Sequence, residues 1–108
     1  MSKLIILRGN SGSGKTTVAK ALQKKLGRNT MLISQKEVSR SMLWVDDGID
    51  TKALPLMAEL LRYGREHSEF SILEGIMYDE WYRSLFELAN ELYGSNVYAY
   101  YFDLSFEE

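Results

Sequence analysis

Residues Gly9-Asn10-Ser11-Gly12-Ser13-Gly14-Lys15-Thr16 match the spacing G-x-x-x-x-G-K-[ST] and carry the clearest chemistry in the chain. Glycines at these intervals let a backbone turn tightly around an anion, with several N–H groups aimed inward. A helix opening at Lys15 adds the partial positive charge of its N-terminus. In such a loop Lys15 reaches the β- and γ-phosphates of a nucleoside triphosphate. The Thr16 hydroxyl binds Mg²⁺, and Thr17 adds a hydroxyl near the α-phosphate. The dinucleotide fingerprint G-x-G-x-x-G does not fit here, because Thr17 stands where its third glycine belongs. The protein-kinase signatures H-R-D and D-F-G are absent, and so is the base-reading N-K-x-D of GTPase switches.

Two further constellations fall where a parallel sheet presents its ligand edge. Ile72-Leu73-Glu74-Gly75 ends an apolar run in a carboxylate. An acid at the C-terminal end of a parallel strand beside a P-loop reads as a Walker-B-like group. Glu74 is expected to hold Mg²⁺ through water or to position an acceptor hydroxyl. Ser34-Gln35-Lys36-Glu37-Val38-Ser39-Arg40 follows the second apolar run. Glu37 is the candidate proton acceptor for a substrate hydroxyl, and Arg40, one helical turn on, is the candidate partner of an anionic substrate group. Tyr82 and Arg83, with Tyr78 and Asp79, follow Glu74 and are candidates to line an acceptor pocket. His67 reads as a helix C-terminal residue favoured by the dipole.

The elements that must position these residues follow from periodicity. Leu4-Ile5-Ile6-Leu7 suits a strand buried on both faces. Val18, Leu22 and Leu26 recur every four residues in a helix over Lys15–Leu26, which Gly27 ends. Met31-Leu32-Ile33 is a second strand. A helix is expected over Gln35–Val45 with Val38, Met42 and Val45 on one side, and Met42 in the core. Asp46-Asp47-Gly48 is a turn signal. Thr51 caps the next helix, with Pro55 in its first turn and Leu54, Met57, Ala58 and Leu61 as its stripe. Phe70–Leu73 is a third strand. Trp81, Leu85, Leu88 and Leu92 mark a helix that ends at Gly94, and Val97–Phe102 is a fourth strand. Ser105-Phe106-Glu107-Glu108 reads as the first turn of another helix. Strands alternating with helices predict βαβ units and an α/β fold on a parallel sheet.

Composition narrows the functional classes. The 108 residues fit one domain, and 45% hydrophobic content is enough for a core. A net charge of −2 gives no general attraction to nucleic acid or to anionic membranes. The absence of cysteine excludes disulfides, thiolate catalysis and Cys-based metal sites in this chain. No apolar stretch of signal-peptide length follows Lys3. A cytoplasmic address is the default expectation.

The segments Leu4–Lys15, Leu32–Gln35, Ile72–Gly75 and Tyr101–Glu108 together resemble a family of small bacterial P-loop kinases. These are grouped with zeta-toxin-like, polynucleotide-kinase-like and chloramphenicol-phosphotransferase-like proteins. The resemblance implies a three-layer α/β/α fold with parallel strand order 2-3-1-4 and a fifth strand beyond. It implies phosphoryl transfer from ATP, with Mg²⁺, to a hydroxyl of a small molecule or polynucleotide. Relatives often carry an Asp after the Ser-Gln pair as catalytic base. Here Lys36 holds that place and Glu37 follows, turned by about 100° on a helix. Relatives also continue into a lid helix bearing arginines and a last strand, so a domain incomplete at its C-terminus is expected. A transition-state arginine is worth roughly 10³–10⁵ in rate.

Three functional expectations result. The first is a kinase of a small hydroxyl substrate. The second is a nucleotide-binding module without turnover of its own. The third is a polynucleotide 5′-hydroxyl kinase, against which the net charge counts. Strand 4, rich in Tyr and Phe and uncharged, is expected to mediate self-association if it stands as a sheet edge.

Overall fold

The computed structural model describes residues 2–10 and 12–102. Four parallel strands form one sheet in the order β2-β3-β1-β4. They are β1 (Lys3–Gly9), β2 (Met31–Ser34), β3 (Phe70–Gly75) and β4 (Val97–Phe102). The connections carry α1 (Lys15–Leu26), a π-helix (Glu37–Leu43), α2 (Ala53–His67) and α3 (Asp79–Tyr93). The α/β class and strand order agree with expectation, and each strand lies within two residues of its predicted place. The expected start of a further helix at Ser105 lies outside the described residues.

Alternation along the strands divides the sheet between two layers of helix. Leu4 and Ile6 of β1, Ile33 of β2 and Leu73 of β3 join the larger core. There they meet Met57 and Leu61 of α2 and Tyr82, Leu85, Ala89 and Tyr93 of α3. Leu7 and Ile72 face the other way and meet Ala19 of α1, with Ile5, Leu22, Leu26 and Leu32 around them. The Thr51 hydroxyl accepts a bond from the Ala53 amide at 3.3 Å, but the N-cap of α2 is Lys52, one residue later than expected. The α3 stripe is shifted by one position from expectation: Tyr82 rather than Trp81 lies on the buried line, and Trp81, Leu88 and Leu92 flank it.

Two apolar expectations fail. Met42 is 59% exposed rather than in the core. The helix after β2 winds with π geometry from Glu37 and stops at Leu43, so the i, i+4 spacing of Val38 and Met42 no longer defines one buried line. Val38 is buried and Val45 packs against the core from beyond the helix end. On α1, Val18 is exposed, because only Lys15 and Ala19 of that helix are fully covered. Strand β4 ends the strand order, and Tyr98, Tyr100 and Tyr101 are exposed on it.

Candidate functional site

The strand register aims the key carboxylate. Leu7 of β1 lies level with Glu74 of β3. Glu74 shares its face with Ile72, the face that α1 covers. Glu74 therefore emerges at the C-terminal edge of the sheet under the first turn of α1. The Thr16 hydroxyl donates to Glu74 Oε2 at 3.0 Å. The carboxylate is 2% exposed, and its Oε1 is buried with no hydrogen-bond partner.

The loop from β1 to α1 has the backbone that its glycines predict. Gly12 and Gly14 hold φ of 77° and 91°, a left-handed region that costs glycine little. The Lys15 side chain is 6% exposed and folds back so that Nζ donates to the Asn10 carbonyl at 3.0 Å. The Ser13 amide donates to the same carbonyl at 3.2 Å. The Ser13 hydroxyl is buried without a partner. Gly9 is required for a different reason: a Cβ there would lie 2.7 Å from the Phe102 Cβ on β4. Ser11 lies outside the described residues.

A cleft of about 930 Å³ opens in front of this loop. The phosphate loop, α1 and β3 give it Gly12, Lys15, Thr16 and Glu74, the segment after β2 gives it Lys36, Arg40, Trp44, Asp46 and Asp47, and the β3–α3 connection gives it Tyr78. Its volume lies at the upper end of the range for ligand sites. Gln35 lies at the floor, where its Nε2 donates to the Ser39 hydroxyl at 3.1 Å. Gly75 admits it, since a Cβ on Gly75 would stand 2.6 Å from the Gln35 Cβ.

The cleft sorts the predicted residues. Lys15, Thr16, Glu74 and Arg40 line it. Glu37 does not: it is exposed outside the cleft, and its amide donates to the Ser34 hydroxyl at 3.4 Å. Its place is taken by Lys36, one residue earlier and a large rotation away on the same helical turn. Thr17 is exposed on α1 and is not part of the lining. Arg83 is also outside, on the solvent face of α3, where it pairs with Asp79 at 3.1 Å. Tyr82 is wholly buried beneath the cleft rather than lining it, and its hydroxyl donates to Asp47. Burial, then the bond and the charge of Asp47, push the Tyr82 hydroxyl well above its usual range.

Several lining groups carried no functional signal in the sequence. Asp46 and Asp47 read as a turn. The chain after the π-helix instead runs along the cleft, and Tyr82 together with the Gly48 amide, 3.0 Å away, anchors Asp47 Oδ1. Arg8 precedes the loop on β1; its guanidinium donates to the Met77 carbonyl and lies 4.5 Å from the Phe86 ring centre. It thus ties the β3–α3 connection to the strand that feeds the loop. Among the described residues no group of three or more His, Cys, Asp and Glu could hold a metal. No helix among them is long and apolar enough to cross a membrane.

Comparison with known proteins agrees with this arrangement. The family model described as AAA domain (AAA_33) matches residues 4–108. Among curated proteins none matches the sequence. The fold is similar to that of a putative kinase from Chloroflexus aurantiacus, with a TM-score of 0.68 and 19% identity, over 93% of this chain and 58% of that one. It is similar to a chain of the Pnkp1/Rnl/Hen1 complex, with a TM-score of 0.63 and 19% identity, over 96% of this chain and 36% of the other. It is also similar to a mutant of the Mycobacterium tuberculosis APS kinase CysC, with a TM-score of 0.57 and 19% identity, over 99% and 79%. This chain therefore spans little more than half of the first of these proteins and about a third of the second. With its loop, its strand order and a family match over nearly all its length, the chain belongs to the AAA domain family and has a small, kinase-like P-loop fold.

Proposed function

We propose that the protein binds ATP with Mg²⁺ and transfers the γ-phosphoryl group to a hydroxyl of a small molecule held in the outer half of the cleft. The observation that carries this reading is the junction of Thr16 and Glu74 at 3.0 Å, with Glu74 Oε1 buried and unpartnered beside the anion-binding loop. A buried carboxylate oxygen without a donor is a costly feature that a cation relieves. A hydroxyl and one carboxylate suit Mg²⁺, which takes few protein oxygens and completes its shell with water and phosphate. Thr16 and Glu74 would hold the ion, and it would supply neutralisation of charge on the β- and γ-oxygens.

The chain's own residues account for the rest. The amides around Gly12 and Gly14 bind the phosphates through the loop and the start of α1. Lys15 exchanges the Asn10 carbonyl for phosphate oxygen and offsets their charge. The acceptor oxygen attacks the γ-phosphorus, the bond from that phosphorus to the ADP oxygen breaks, and the hydroxyl proton passes to a carboxylate of the cleft. Asp46 and Asp47 line the cleft and supply that carboxylate, in place of the displaced Glu37.

The test is conversion of ATP to ADP across a panel of alcohols, sugars, nucleosides and 5′-hydroxyl oligonucleotides, with Lys15→Ala as the control. Acceptor-dependent turnover at least tenfold above that control is the expected result. ATP binding with no turnover on any acceptor would leave the chain a nucleotide-binding module and overturn the transfer step.

A further inference from the structure

We propose that the acceptor of this reaction is a small molecule bearing both an anionic group and a flat aromatic ring, recognised by Lys36, Arg40 and Trp44. The inference rests on the functional reading above and gives the substrate its class.

The three residues stand four apart in sequence, and all three line the cleft that Lys15 and Glu74 also line. Lys36 immediately precedes the π-helix, Arg40 lies within it and Trp44 closes it, so one short segment carries all three. π-Geometry is rare and recurs at functional sites.

Each member of the row lacks a structural explanation of its own. Trp44 is 90% exposed, so packing does not hold it. It also has φ of 56°, a left-handed conformation that a bulky side chain seldom adopts. The Trp44 amide donates to the Ser39 carbonyl to close the helix, and the Val45 amide donates to the same oxygen at 2.8 Å. These bonds fix the backbone at Trp44, whose exposed indole lines the cleft. The cations are similarly unoccupied. Arg62 pairs with Glu59 at 3.0 Å and Arg83 with Asp79 at 3.1 Å, but among the described residues neither Lys36 nor Arg40 has an ion-pair partner. Two unpaired cations in a cleft that also carries an exposed indole fit a ligand with a negative group and a ring. Asp46 and Asp47 in the same cleft oppose a ligand of higher negative charge and leave room for one compact anion.

The experiment is a fluorescence titration of the intact chain, which has only Trp44 and Trp81 as indoles. The probes are AMP, CMP and phenyl phosphate, with ribose 5-phosphate and adenosine as single-feature controls. Each is titrated in the presence of AMP-PNP and Mg²⁺, whose own binding is measured separately by calorimetry. At least one two-feature probe is expected to quench emission and to bind at least about fivefold tighter than either control. Trp44→Leu should abolish the quench and reduce affinity to that of ribose 5-phosphate. Lys36→Ala with Arg40→Ala should reduce it to that of adenosine, while Arg83→Ala, outside the cleft, leaves probe binding unchanged.

The inference is overturned if every two-feature probe binds no better than the controls, if the row variants leave affinity unchanged, or if AMP-PNP displaces the probe competitively. Failure of AMP-PNP to bind in calorimetry is a separate result. It overturns the nucleotide reading, and the row is then judged by the same variants.

Discussion

Replacing Glu74 by Gln should separate stability from ligand binding in a direction that ordinary buried residues do not show. In the native chain Thr16 donates to a charged acceptor, a bond worth about 1.5–3 kcal/mol, against about 0.5–1.5 kcal/mol for a neutral one. The substitution therefore loses roughly 1 kcal/mol at that bond. Against this, Glu74 Oε1 is a buried charged oxygen with no donor, a burden of at least about 1–3 kcal/mol that falls when the charge is removed. The balance is an unchanged fold or a gain of up to about 2 kcal/mol, read from urea denaturation as a shifted midpoint with constant slope. The same variant should lose most of the Mg²⁺ enhancement of AMP-PNP affinity, at least tenfold, or about 1.4 kcal/mol. A loss of 2 kcal/mol or more in stability, together with intact Mg²⁺ enhancement, would refute the reasoning and make Glu74 a structural acceptor.

Other expectations follow from packing and titration. Leu61→Ala, at a wholly buried position of α2 in the larger core, should cost about 2–5 kcal/mol in chemical denaturation. Gly75→Ala should destabilise by about 1–3 kcal/mol, because the new methyl would meet the Gln35 Cβ, which lies too near its own backbone to swing away. Stability should also fall at high pH. Burial raises the Tyr82 and Tyr93 hydroxyls above their usual value near 10. The unfolded chain therefore releases these protons first as pH rises, and the stabilisation present below pH 10 is lost above it. The slope should approach about 1.4 kcal/mol per pH unit for each group. Tyr82→Phe should reduce that slope, and denaturation curves between pH 9 and 11 measure it.

How legible the site was depended on how local its determinants are. The phosphate loop could be read directly, since Gly12, Gly14 and Lys15 act through backbone conformation and a helix start that adjacent residues specify. Glu74 was legible for a related reason: a carboxylate ending an apolar strand has few places to go in a parallel sheet. The acceptor side was legible only in part. Apolar spacing at Val38 and Met42 is compatible with an α-helix, whereas the chain winds with π geometry over Glu37–Leu43 and leaves Met42 exposed. The step from Lys36 to Glu37 is a large rotation on any helix, and Lys36 is the one that lines the cleft. Tyr82 was misplaced by one step of the same kind, since a stripe read from Trp81 hides the residue beside it. Asp47 is tied to the fold through the Tyr82 hydroxyl, 35 residues away, which no local pattern records.

The central claim is that this loop is formed and takes a nucleoside triphosphate. Calorimetric titration of AMP-PNP with Mg²⁺ into the wild-type chain and into Lys15→Ala tests it most directly. The account predicts saturable binding by the wild type and a loss of at least tenfold in affinity in the variant. Equal affinity in the two, or no binding by a folded wild-type chain, would contradict it.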